Sequence, residues 1–411
     1  MLIRILFCLF IVFIALQLNS KAQKCIDYML LQGPENISAY GVDTTDHWWS
    51  VIESVKGSYR MVIDGKRSEI YRNIKNLVFS PDGNRWAYFA QDNVQWYLIA
   101  NDTTIMIPAS DVGDMNFSPN SQSLVYSYME GEYEKIILPN KKINVYQRQG
   151  NLYLSQSGDK FAFIGFRGDL KVININGVES PAYQDIKPIG FWYDNKMIYA
   201  AKNGTVWEIY KDDKAISETY MDIYDCAINN QGNVFAVLAR QSGGRCVGIL
   251  FSDEYTEPII SKPYDNVSSL ALHPSLPMFA FKGSIDNNYF IVLNNIEYHA
   301  GREPGIPFFT YDGSDLYFLG CDLDCFVNVN GQKYSVPAQF DLGMYYAMKP
   351  SSKTIAYTTS TSMAVREIEF NRLYAGMMVD ELIPPRYNWR KQRYESLGKI
   401  NQKLYLLTCN F

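Results

Sequence analysis

With 411 residues the chain exceeds what one ordinary hydrophobic core accommodates, so it holds either two domains or one large repeat architecture. Aromatics make up 15% and charged residues 20%, and Pro and Gly are spread along the chain instead of gathering in a linker, which favours one continuous strand-rich body. A formal net charge of −5, with no clustered Lys and Arg excess over the body, argues against a nucleic-acid surface.

The chain opens with Arg4, the apolar run Ile5 to Leu16, polar Gln17 to Lys21, and a small-residue site at Ser20-Lys21-Ala22. This pattern predicts a signal peptide over 1–22, resembling bacterial export signals, and the run is shorter than the roughly 20 residues needed to span a bilayer. The expected product is exported, periplasmic or secreted, with no permanent membrane span once cleaved. Removing Cys8 with the signal leaves Cys25, Cys226, Cys246, Cys321, Cys325 and Cys409, an even number that permits disulfides in an oxidising compartment.

Residues 23–35 read as a lead-in, and a repeat follows. Its clearest copy is Asn76 to Ala90, NLVFSPDGNRWAYFA: an apolar strand, a Ser-Pro-Asp-Gly turn and a second, aromatic strand. Taking Pro81 as anchor, the equivalents are Val42, Pro81, Pro119, Gln156, Tyr193, Asn230, Pro274, Tyr311 and Pro350, at intervals of 37 to 39 residues except for one of 44. About seven residues beyond each anchor comes a large side chain, such as Tyr88, Phe163 or Phe281, suited to filling the space between packed sheets. Further on come Asp64, Asn101, Asn176, Asp212, Asn294 and Asn330, several followed by Gly, as tight hairpins require. Ten residues before the anchor stand Tyr71, Tyr146, Tyr183, Tyr220 and Tyr264.

Each unit thus reads as strand, turn, strand, loop, strand, Asx turn, strand: one propeller blade. FSPDGNRWAY at Phe79 to Tyr88 resembles the WD40-like, TolB-type (PD40-like) propeller repeat, and later copies depart from FSPDG. The expectation is an all-β chain forming a single β-propeller of about eight or nine four-stranded blades over 36–380. A C-terminal tail follows over 381–411, with a basic stretch read as a solvated linker or short helix and a closing strand, Leu404 to Cys409. A closed ring would bring Cys25 near Cys409 for a disulfide, and Cys321 could pair with Cys325 across its hairpin. Cys226 and Cys246 fall on the first and third strands of one unit, too far apart to bond across the strand between.

No nucleophile elbow, phosphate-cradling loop or zinc spacing occurs, and no cofactor or metal is expected. Asp312-Gly313-Ser314-Asp315, Asp322-Leu323-Asp324 and Arg167-Gly168-Asp169 read as turns. The function expected is non-enzymatic binding or scaffolding in the bacterial cell envelope, with a protein or a glycan as partner. The alternative is a carbohydrate-active or other hydrolytic or lyase enzyme with a site in the central channel, which needs convergent carboxylates or His. The partner is expected on the variable loop face, where the sixth unit carries its seven extra residues: around Arg240 to Arg245, and from Tyr255 to Tyr264. The series Tyr71, Tyr146, Tyr183, Tyr220 and Tyr264 would end beside that face, lining a partner site or packing in the interior.

Overall fold

The computed structural model describes residues 25–411 except 34, 102, 140, 146–147, 337–345, 359–361 and 368–371, so the expected signal peptide lies outside the described residues. Among the described residues the strands assemble into ten antiparallel sheets, and the fold is an all-β propeller. The expected eight or nine blades are therefore corrected to ten. Each of the nine anchors heads one sheet. The tenth has no contiguous copy to detect, because it is assembled from both ends of the chain: Cys25–Gln32 pairs with Lys403–Asn410, which pairs with Arg393–Ile400, flanked in turn by Glu381–Leu382 and Arg386–Asn388. The stretch expected as a linker or short helix is the hairpin joining Arg386–Asn388 to Arg393–Ile400.

The chain divides into two compact units. The larger, Ile37–Gly343, holds the first eight sheets. Successive sheets share apolar clusters: Phe235, Trp192 and Ile249 join the fifth to the sixth, and Tyr264, Phe281 and Leu250 the sixth to the seventh. The smaller unit, Met1–Asn36 with Met344–Phe411, holds the ninth and tenth sheets, joined by a core that includes Met363, Val365, Tyr394 and Leu407. Within it Cys25 is bonded to Cys409, opposite it in register; in the larger unit Cys321 is bonded to Cys325, and Cys226 and Cys246 are free thiols separated by strand Val234–Arg240.

Three local devices repeat. The Asx residues adopt left-handed backbone, with φ of 47° at Asn101, 53° at Asn176 and 42° at Asn294, and their side-chain oxygens accept the first N–H of the second strand, from Trp86, Phe161 and Phe279 at 2.8, 2.9 and 3.0 Å. One short polar side chain thus makes the turn and caps its neighbour. A Ser-x-x-Tyr motif closes the outer edge of four sheets: the hydroxyls of Ser68, Ser180, Ser217 and Ser261 accept N–H from the third strand, and Tyr71, Tyr183, Tyr220 and Tyr264 bridge by backbone to the start of that strand. Finally, the first strand carries a register shift in each of the second to seventh sheets, as between Lys75 and Val78 or Ser268 and Ala271. Such bulges bend the strand and turn backbone away from the ladder.

Candidate functional site

The seven extra residues of the sixth unit divide between opposite ends of its sheet. The connection between its second and third strands runs over 241–245, against 204–205 in the fifth sheet; the connection between its third and fourth runs over 253–258, against 212–213. Successive turns of a meander alternate between the two ends of the strands. Tyr255 therefore lies with the first-to-second turns, and not beside Arg240 and Arg245 as expected; Tyr264 alone, in the connection to the seventh sheet, shares their end. The added length of the third-to-fourth turn follows the Asx position, Asp253, and precedes the fourth strand, Ile259–Ile260.

The 253–258 loop is nucleated by Ser252, whose hydroxyl accepts N–H from Glu254 at 3.1 Å. It forms one wall of a groove of about 410 Å³ between the fifth and sixth sheets. The floor is aromatic: Phe235 stacks on Phe251 with centroids 4.4 Å apart, and Trp192 meets Phe235 edge-on at 5.5 Å. The opposite wall is Tyr193, in the first-to-second turn of the fifth sheet. Its N–H donates to the Gly232 carbonyl at 2.8 Å. Gly232 has φ of +71°, and a Cβ there would stand 2.9 Å from the Phe191 oxygen, so only glycine allows this approach. Tyr193 and Tyr255 are 52% and 43% exposed, leaving ring area open to a partner. At the rim the Lys211 ammonium is 2.9 Å from Asp194 and 5.3 Å from the Trp192 ring centroid, while Asp253 and Glu257 supply carboxylates.

The other expected residues are placed differently. Arg245 is engaged, ion-paired to Asp265 and donating to the Pro263 carbonyl, and Arg240 lies over the Tyr224 ring at 5.5 Å. Tyr183, Tyr220 and Tyr264 are buried, so their rings pack the interior and do not face a partner. Tyr264 meets Phe281 edge-on, and its hydroxyl donates to Glu297 at 2.9 Å; burial first, then that carboxylate, pushes its pKa up. Tyr71 is half-buried, and Tyr146 lies outside the described residues. Arg167-Gly168-Asp169 forms a hairpin turn with Arg167 paired to Glu179, and the Asp312 carboxylate closes its own turn by accepting from Thr310 and Ser314.

A second cleft, about 670 Å³, opens between the first and second sheets and is lined by Tyr71, Trp86 and Tyr88 together with His47, Lys66 and Glu69. His47 clasps the two sheets: Nδ1 is 2.5 Å from an Asp64 carboxylate oxygen and Nε2 is 2.7 Å from the Gly83 carbonyl. Both partners are acceptors, so the ring is a double donor. Burial alone would lower its pKa, but the Asp64 bond, the Gly83 carbonyl and the charges of Asp64 and Asp43 outweigh it and raise the pKa. His273 makes the matching contact to the Gly313 carbonyl at 3.1 Å, but its Nδ1 accepts N–H from Ser275 and Leu276, and burial keeps it neutral with a lowered pKa.

Along the first strands lies a shallower pocket of about 460 Å³ lined by Asn76, Asp114, Asn116 and Asn151. Asp114 is bound to Arg148 at 2.8 Å, and Arg148 also grips Glu134 with two further bonds. Asp225, on the first strand of the sixth sheet, accepts N–H from Cys226 at 2.9 Å and Leu270 at 3.2 Å.

No family model matches the chain, and no curated protein does. Among solved structures it is similar to a eukaryotic initiation factor, at 12% identity over 91% of this chain and 98% of the other with a TM-score of 0.49. It is also similar to the Dos1 propeller, at 9% identity over 73% and 93% with a TM-score of 0.40. A third is an oligogalacturonate lyase in complex with manganese, at 10% identity over 82% and 97% with a TM-score of 0.38. At these identities the likeness does not speak to activity.

Proposed function

We propose that this chain is a non-enzymatic binding or scaffold propeller of the bacterial cell envelope, built of WD40-like, TolB-type repeats, exported by its N-terminal signal and recognising a protein partner. The observation that carries the reading is the groove between the fifth and sixth sheets. The repeat is near-constant elsewhere, yet here added length builds a wall with Tyr255 and presents an aromatic surface opposite Tyr193. Rigid aromatic side chains at the rim of a concavity supply contact area at low entropic cost, as binding sites on fixed scaffolds require. The binding reading is preferred to the enzymatic one because two carboxylates within the first strands, Asp114 and Asp225, are engaged by Arg148 and by backbone amides. Affinity capture from the native envelope, with wild type and Y193A/Y255A as parallel baits, tests the proposal. One partner should be retained by wild type and lost with the variant at equal thermal stability. Equal retention by both would refute the groove, and recovery of polysaccharide in place of protein would redirect the reading to a glycan.

A further inference from the structure

In the larger unit the outer edges of the sheets are guarded in two ways. The fourth strand of the first, fourth, fifth and sixth sheets is only two residues long, with the Ser-x-x-Tyr motif after it. In the third, seventh and eighth sheets it is longer and carries a charge, at Lys142, Glu297 and Lys333. Short and charged edges both resist pairing with a second chain. The second sheet has neither protection. Its fourth strand, Thr103–Ile107, reads TTIMI, without charge or proline, and its first four residues are exposed, Ile105 by 46% and Met106 by 67%.

Register fixes which backbone groups of that strand point outward. The Asp92 N–H donates to the Gln95 carbonyl at 3.2 Å and the Asn101 N–H to the Trp86 carbonyl at 3.1 Å, so odd positions of the third strand, Trp96–Ala100, bond to the second. Its even positions, Trp96, Leu98 and Ala100, therefore bond to Ile107, Ile105 and Thr103. That leaves the N–H and C=O of Thr104 and Met106 directed away from the sheet, and among the described residues neither finds a backbone partner. Pro108, the next position of this parity, has no N–H and ends the ladder. The Gln95 side-chain amide donates to the Trp96 and Ile107 carbonyls and holds the end of the strand in place.

Such an edge is complementary to itself. Laid antiparallel on a second copy, with Thr104 opposite Met106 and Met106 opposite Thr104, each pair exchanges two hydrogen bonds and every outward group of these residues is satisfied. A slip of two residues in either direction halves the bonds. In the full register Ile105 faces Ile105 across a two-fold axis, and no like charges are opposed. Paired side chains share a face, and Thr104 lines the cleft between the first and second sheets, so Met106 of the second copy is brought to the mouth of that cleft. We infer that the outer edge of the second sheet pairs with the same edge of a second copy of this chain, joining two four-stranded sheets into one continuous sheet. The inference uses no residue of the groove between the fifth and sixth sheets, and either can fail without the other.

Sedimentation equilibrium of the purified protein, over about a hundredfold range of concentration, should show a reversible equilibrium between monomer and dimer. I105K opposes two lysines across the two-fold axis at an exposed position, and should raise the dissociation constant by more than about tenfold at an unchanged thermal midpoint. Mild oxidation tests the register. Cα atoms about 4.5 Å apart in a non-hydrogen-bonded pair suit a disulfide, so I105C should cross-link to itself, whereas T104C and M106C should cross-link when mixed and not alone. Wild type, whose free thiols are Cys226 and Cys246, is the control. A dimer whose dissociation constant I105K leaves unchanged, or I105C that cross-links no faster than T104C alone, overturns the inference. Wild type that stays monomeric over the whole range also overturns it, and would leave an extended segment of another protein as the occupant to test.

Discussion

Two disulfides of opposite reach allow a quantitative test of how the chain ends are fastened. The bond between Cys25 and Cys409 spans a sequence separation of 384, and that between Cys321 and Cys325 a separation of 4. In the chain-entropy account a cross-link stabilises by shrinking the unfolded ensemble, as 2.1 plus 1.5R times the logarithm of loop length; at 25 °C this gives about 6 kcal/mol for the long loop and about 2 kcal/mol for the short one. The long bond also pins strand Cys25–Gln32, which pairs with a single neighbour in its sheet. Both of its cysteines are buried among apolar side chains, so alanine is the appropriate replacement, since serine would bury a hydroxyl. In guanidinium unfolding followed by tryptophan fluorescence, C25A/C409A should lose about 4 kcal/mol more than C321A/C325A. A loss from C25A/C409A no larger than from the short pair would refute the closure argument.

The His47 clasp predicts pH dependence: its folded pKa is raised, so its contribution is complete below the unfolded value and is lost as pH rises through the folded one, and wild type should lose stability relative to H47Q as pH rises above about 6.5. Matching denaturation midpoints across that range would contradict a doubly donating imidazole. Truncating Arg148 leaves buried Glu134 without its partner, so R148A should cost about 3 kcal/mol by chemical denaturation and R148M/E134L should recover most of it. At Asn294 the left-handed backbone and the bond to Phe279 separate by substitution: N294G should lose only the bond, about 1 kcal/mol, and N294A about 1 kcal/mol more. Melts in the order N294A above N294G would show that backbone strain does not govern the turn.

The repeat was legible because its two most constant positions carry chemistry visible in one dimension. Asx residues, left-handed at six of the described turns, and large side chains between sheets recur at a near-constant spacing, and nine of the ten sheets carry that pattern. The tenth escaped because its strands come from residues nearly the whole chain apart, Cys25–Gln32 and Lys403–Asn410, with no shared local pattern. The tyrosine series illustrates the limit of periodicity: Tyr183, Tyr220 and Tyr264 repeat because the preceding Ser-x-x links the outer edge to the third strand, a packing role, and no spacing separates that from recognition. The added length in the sixth unit did point toward the groove through Tyr255. Its other wall, Tyr193, was treated only as a turn anchor, since its exposure depends on the close approach of Gly232 from the next sheet.

Partner recognition at the groove is tested most directly by site-specific photo-cross-linking in intact cells, with a benzophenone amino acid placed in turn at Tyr193, Tyr255, Arg240 and Arg245. Adducts of one common mass at positions 193 and 255, and none at 240 or 245, are the predicted result. Adducts confined to 240 and 245 would move the site to the opposite end of the strands and contradict the account.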